Sequence, residues 1–284
     1  MSRLRAFAVL SALTAITLPM IPVQWVALRI PGELKRRLPV VWHRMACALV
    51  GIRVREIGRA ARDRPLLITA NHVSWLDITV LGSRMPLSFV AKSEVASWPV
   101  FGLFAKLQRS VFVDRERRSA TARTASELGA RLAEGDAMVL FAEGTSNSGN
   151  EVLPFRSALI GAARHAVAGE GEDVWIQPLA LAYTDLQGVP MGRQFRAHVA
   201  WYGDMEMIPH FMNVVRKGAV DVTVVWGGPL RVSPGNDRKM LTRRLERSVR
   251  EMAAEARAGR ALPAAGVESD SEAEAAILKA AKNG

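Results

Sequence analysis

The sequence predicts an α/β protein, with a central, mostly parallel sheet flanked by helices and an N-terminal membrane-associated helical segment. Three observations carry this. Short apolar runs alternate with helix-period segments from about residue 52 to 252, the pattern of an α/β layer structure. The run Ala6 to Leu28 holds no charge and is long enough to cross a hydrocarbon core. The chain is 49% hydrophobic with a formal charge of +11, which suits a folded protein that meets an anionic partner.

The N-terminal run is flanked by Arg3 and Arg5 on one side and by Arg29, Lys35, Arg36 and Arg37 on the other. Basic flanks suit an anchor on anionic membrane lipids. Pro19 and Pro22 interrupt the run, so one bent helix and two short helices are both open. A cleaved signal peptide competes, but no small-x-small site follows. The reading divides the chain into an anchor over 1–38, an α/β domain over 39–256 and a weakly packed tail over 257–284. No zinc-finger spacing or RNP-like strand is present, so nucleic acid is not the expected partner. Cys47 is the sole cysteine, so an internal disulfide is impossible and a thiolate zinc site implausible. No metal and no bound cofactor are expected.

Helix 39–50 is followed by a half-exposed strand at 52–56, where Ile52, Val54 and Glu56 alternate with Arg53 and Arg55. Pro65 to Ala70 reads as a buried strand that ends at Asn71-His72. Further expected elements are a helix over 74–81, a strand over 87–91, a helix over 98–107, a strand over 110–114 and a helix over 119–134. Strands follow over 137–142 and 174–183, although Pro178 argues against a regular central ladder there. Residues 195–200 and 220–226 are strand candidates. Met240, Leu241, Leu245, Val249 and Met252 mark an amphipathic helix with a basic opposite face.

Polar residues collect where strands end, which is where open α/β sheets meet ligands. His72 ends one strand and Asp77 follows after the chain has turned. A carboxylate on one imidazole nitrogen fixes the tautomer and leaves the other nitrogen to take a proton from a hydroxyl. The bland alternative is a histidine beside a helix start with an exposed aspartate. Phe141-Ala142-Glu143-Gly144-Thr145 ends another strand, where Gly144 permits a tight turn. Arg115 follows Val111-Phe112-Val113-Asp114 and carries a forked donor suited to phosphate or carboxylate.

Asn71-His72-x-x-x-x-Asp77, Phe112-Val113-Asp114-Arg115, Phe141-x-Glu143-Gly144-Thr145 and Ile176-Gln177-Pro178-Leu179-Ala180 together resemble the four ordered blocks of the PlsC-like glycerolipid acyltransferases. The resemblance implies that His72 is the general base, that Asp77 orients it, and that Arg115, Glu143 and Gly144 bind the acceptor. It extends to Asn71, Thr145, Ser146 and Arg156 as substrate-binding positions. It implies an acyl-ACP or acyl-CoA donor, hence an acyl carrier protein partner, a lysolipid acceptor, and a place on the cytoplasmic face of a bacterial-type inner membrane. Phosphatidate-forming members commonly carry arginine where Ser146 stands. With Leu153-Pro154-Phe155-Arg156 and Ala182-Tyr183-Thr184, this departure resembles the branch that acylates lyso-ornithine lipid. Ordinary lysophosphatidate acylation is the alternative, with Arg115 and Arg156 serving the phosphate. A non-enzymatic basic membrane adaptor ranks below both.

Overall fold

The computed structural model describes residues 2–113, 131, 134–161, 173–233 and 236–260. Arg115, most of the expected 119–134 helix and residues 261–284 of the expected tail lie outside the described residues.

Helices α1 (Ser2–Ala27) and α2 (Leu34–Val50) precede strand β1 (Ile52–Ile57). Then come β2 (Leu66–Ala70), α3 (Leu76–Gly82), β3 (Ser88–Lys92), α4 (Phe101–Leu107), β4 (Val111–Val113), β5 (Ala137–Phe141), β6 (Val174–Leu186) and β7 (Val189–Pro190). Helix α5 (Met207–Lys217), β8 (Val220–Trp226), β9 (Leu230–Val232) and α6 (Arg238–Arg257) follow, and 3-10 turns lie at Ser93–Ser97 and Arg193–His198. The strand order is β1-β8-β6-β2-β5-β3-β4, with β7 and β9 added alongside β6. Every neighbouring pair on this path is parallel except β6–β8.

Strand alternation splits the core into two layers. Leu66, Ile68, Ala70, Leu179, Leu181 and Tyr183 face one layer, with Val50 of α2 and Val214 of α5. Leu67, Met138, Leu140, Ala180 and Ala182 face the other. There they meet Leu241, Leu245, Val249 and Ala253, a stripe at helical spacing along α6. Asp237 caps that helix by accepting from the Met240 amide at 2.7 Å.

Two expectations are corrected. Residues 193–198 form a short 3-10 helix rather than a strand. The segment has no partner strand and closes its own turns, with Phe195 donating to Gly192 and Val199 to Arg196, each at 3.0 Å. Pro178 lies inside β6, a central strand, paired in register with Thr69 of β2. Its carbonyl accepts from Gly227 at 2.9 Å, so its donor-less nitrogen faces that same side. There β8 has ended at Trp226 and β9 has not begun, and no ladder bond is forfeited.

Helix α1 is one helix with Pro19 and Pro22 inside it. It packs on α2, α5 and α4. Both ends are tied to the body. The Arg5 guanidinium donates to the carbonyls of Val50 (2.8 Å) and Val215, at the ends of α2 and α5. The Gln24 amide donates to Lys35 at 2.9 Å and to Leu107 at 2.8 Å. Arg5 is therefore not the free basic flank that the sequence suggests. Phe7, Leu18 and Trp25 on α1 and Val41 on α2 stay exposed, an apolar surface that associates the chain with a membrane.

Candidate active site

Strand β2 delivers His72 to the carboxyl end of the sheet's centre, and the turn 73–75 brings Asp77 back to it from the first turn of α3. His72 Nδ1 lies 2.8 Å from Asp77 Oδ2. The same oxygen accepts from the amides of Val73 (2.7 Å) and Ser74 (3.0 Å). Oδ1 accepts from the Tyr183 hydroxyl at 2.7 Å. Asp77 is fully buried. Oδ2 is an acceptor toward both amides, so the matching partner in the ring is a proton on Nδ1, which leaves Nε2 as the acceptor. The His72 side chain is 19% exposed and stacks on Phe141, with ring centroids 3.9 Å apart and planes 13° apart. Among the described histidines, His72 is the one paired with a carboxylate. His43 is buried against Gln108 at 3.0 Å, and burial lowers its pKa to about 4.

Glu143 lies beneath this turn, only 2% exposed. One carboxylate oxygen accepts from the His72 amide at 2.8 Å. The other accepts from the Leu153 amide at 2.8 Å and the Asn147 side-chain amide at 2.5 Å. Burial pushes the Glu143 pKa up to about 7, against the pull of these three donors. Asn147 also donates its own backbone amide to the His72 carbonyl at 3.1 Å. The loop after β5 thus clamps the backbone of the base from both sides.

The other expected site residues take different places. Asn71 is fully buried, and both ends of its amide pair with the Leu181 backbone, at 3.0 and 2.8 Å. It extends the β2–β6 ladder by imitating a strand residue. Gly144 adopts φ +76°, a left-handed turn that glycine makes at no steric cost, and its amide bonds Phe141 at 3.0 Å. Thr145 and Arg156 are exposed and Ser146 is half-buried on the loop. Arg156 Nε donates to the Glu143 carbonyl at 3.2 Å. Tyr183 and Asn147 were passed over in the sequence as site residues. The strand alternation that puts Leu179 and Leu181 on the layer of Asp77 also puts Tyr183 there, and this was the available signal.

The arrangement can accept a proton from a hydroxyl at Nε2 and hold the resulting imidazolium against Asp77. Residues 51–182 match the family model described as Acyltransferase. A lyso-ornithine lipid O-acyltransferase of Brucella abortus (strain 2308) is 48% identical, over 92% of this chain and 98% of its own length. One from Rhizobium meliloti (strain 1021) is 44% identical, over 89% of this chain and 87% of its own length. A 1-acyl-sn-glycerol-3-phosphate acyltransferase of Neisseria meningitidis serogroup B is 30% identical, over 70% of this chain and 74% of its own length. The crystal structure of PlsC from Thermotoga maritima shares the fold. Its TM-score is 0.60 at 20% identity, covering 93% of this chain and all of that one. With strand-end motifs, fold and near-full-length relatives in agreement, the chain belongs to the PlsC-like acyltransferase family, closely related to the lyso-ornithine lipid O-acyltransferases.

Proposed function

We propose that this acyltransferase moves a fatty acyl group from an acyl-ACP or acyl-CoA thioester to the free hydroxyl of lyso-ornithine lipid. The observation that carries the acceptor is the match along nearly the whole chain to enzymes named for it. Ser146, half-buried on the loop beside Glu143, adds to it. An arginine there would offer a phosphate a forked contact and repel the ammonium of an aminoacyl headgroup.

In this reading His72 Nε2 takes the acceptor's proton as the oxygen attacks the thioester carbonyl. The tetrahedral adduct then expels the thiolate, which recovers the proton from the imidazolium. Asp77 holds the charged ring. Glu143 and Asn147 fix the backbone that aims it. The protein works from the cytoplasmic face of an inner membrane, held in one leaflet by α1. Residues 39–256 form the catalytic body, and α2 carries the chain across residue 38 from its start at Leu34. Arg115 in the second block is an acceptor-binding residue in the same reading.

Lysophosphatidate is the competing acceptor, favoured by the exposed Arg156 at the loop edge. Purified enzyme given both acceptors with one acyl-ACP donor separates them by kcat/KM. A preference for lyso-ornithine lipid is expected. A strong preference for lysophosphatidate overturns the acceptor while leaving the His72 chemistry intact. S146R should move the ratio toward lysophosphatidate.

A further inference from the structure

Trp75 occupies the N-cap place of α3, between His72 and Asp77, yet its side chain gives that helix no capping bond. The residues that cap helices there are short and carry an oxygen. The polar atom of this indole goes to another element: Nε1 donates to His210 Nδ1 of α5 at 3.0 Å. The two rings meet edge-on, with centroids 6.3 Å apart and planes 88° apart. Phe211 adds a second ring to the seat, 5.5 Å from Trp75 between centroids. His210 is 8% exposed, so water does not compete for the bond.

Packing alone does not call for a histidine at this place. His210, Val214 and Val215 are the buried residues of α5. An apolar side chain at 210 would fill the same stripe and bring no polar ring atoms into the interior. An indole N–H can only donate, so Nδ1 accepts and the ring proton sits on Nε2. Burial lowers the His210 pKa, which keeps Nδ1 open to the indole.

The turn that Trp75 ends is the one that aims the base. Asp77 accepts from the Val73 and Ser74 amides, and the Trp201 amide donates to the Val73 carbonyl at 2.9 Å. Of residues 73–75, Trp75 is the one whose side chain makes a hydrogen bond. Helix α5 is itself held near its far end, where the Val215 carbonyl accepts from Arg5, and it packs on α1. Contacts therefore run from the apolar N-terminal helix through α5 to the turn between the base and its carboxylate. We propose that His210 is a positioning residue: by accepting from Trp75 it fixes the turn 73–75, and so the direction in which His72 presents Nε2. A displacement of about 1 Å at a reacting group can cost on the order of 10²-fold in rate. The proposal rests on His72 as the base and is independent of which lysolipid accepts.

The test uses the full chain in lipid vesicles, with acyl-ACP and acyl-CoA as donors and whichever lysolipid is the better acceptor. The measurements are kcat, acceptor KM and thermal unfolding of each variant. H210F keeps a planar ring and removes the accepting nitrogen. Its kcat should fall about tenfold, with KM changed less than about twofold. H210N returns an acceptor near the place of Nδ1 and should recover most of that loss. W75F removes the donor and should lower kcat to the same extent, so that adding H210F to it costs nothing further. A wild-type kcat in H210F, a loss carried by KM, equal losses in H210F and H210N, or losses that multiply in the double variant each overturn the proposal. If H210F does not fold, W75F decides: a lowered kcat at unchanged KM supports the pair, and a wild-type kcat overturns it. H72A in parallel keeps the base reading separate. Near-normal turnover by H72A defeats the base and this proposal together, whereas an inactive H72A beside an unimpaired H210F defeats the role of His210 alone.

Discussion

Tyr183 donates its hydroxyl to Asp77 Oδ1 at 2.7 Å, on the opposite side of the carboxylate from His72. The tyrosine is 3% exposed, so water does not replace it at that oxygen. We propose that it positions the carboxylate that positions the base. Y183F leaves a buried carboxylate oxygen short of a donor, at a cost of about 1.5–3 kcal/mol for a bond to a charged group. We expect kcat to fall about tenfold with little change in KM. A kcat equal to wild type, or a loss carried by KM alone, would reduce Tyr183 to packing.

Removing the base itself should be far more severe. H72A should lower acyl transfer by about 10²–10⁴. Its circular dichroism and membrane sedimentation should match the wild type, since Asp77 keeps three of its four donors. Near-normal turnover in the folded variant would remove His72 from the mechanism.

Glu143 gives a stability signature with a definite sign. Burial raises its pKa from 4.5 to about 7 in the folded protein. The folded state therefore binds the proton more tightly than the unfolded state. Its contribution is fully present below about pH 4.5 and is lost as pH rises to about 7, on the order of 3 kcal/mol in total. Denaturation midpoints of wild type and E143Q, measured from pH 4.5 to 8, should show the wild type losing ground to the variant up to pH 7 and none beyond. A wild-type advantage that grows with pH would mean the three donors outweigh burial.

Gly149 fixes how closely the catalytic loop approaches the base. It holds φ +73°, and a Cβ there would stand 2.9 Å from Val73 Cγ1. G149A should destabilise the fold by about 1–2 kcal/mol from the left-handed backbone alone. Displacing Val73 should also lower kcat. Thermal unfolding and turnover of the same preparation check both, and a variant equal to wild type in each would show that the loop relaxes freely.

The exposed face of α1 makes its own prediction. Phe7 and Leu18 are 70% and 63% exposed, and their packing against the body is slight. F7S/L18S should leave the fold intact and lower partitioning onto anionic vesicles by tenfold or more, since each apolar side chain transferred to lipid contributes about 1.5–3 kcal/mol. Unaltered vesicle binding would move the anchor elsewhere.

Much of this was legible in the sequence because single-period patterns carry it. Pro65 to Ala70 and Ala137 to Ala142 read as buried strands, and the strands run Leu66–Ala70 and Ala137–Phe141. The α6 stripe was visible at Leu241, Leu245, Val249 and Met252, whereas Met240 is exposed and the buried Ala253 carried no strong apolar signal. His72 and Asp77 stood out because a turn between them shortens a five-residue spacing into a hydrogen bond. What was hidden depends on pairs distant in the chain. The Tyr183–Asp77 contact spans 106 residues. Pro178 misled because a proline's cost depends on what its nitrogen faces, and that is decided by where β8 stops. Residues 193–198 misled because strand propensity says nothing about whether a partner strand exists. Arg5 read as a membrane flank because a sequence does not show which carbonyls a helix end leaves open.

Pinning α1 at both ends, by Arg5 and by Gln24, has a consequence for the lipid it handles. The helix is about 39 Å long and lies along the body instead of leaving it. In the proposed orientation the protein then occupies one leaflet, drawing its acceptor laterally and returning its product to the same monolayer. Each turnover adds one chain's cross-section to that monolayer and nothing to the other. The enzyme therefore generates an area imbalance as it works, and relaxing that imbalance requires a separate transbilayer movement of lipid.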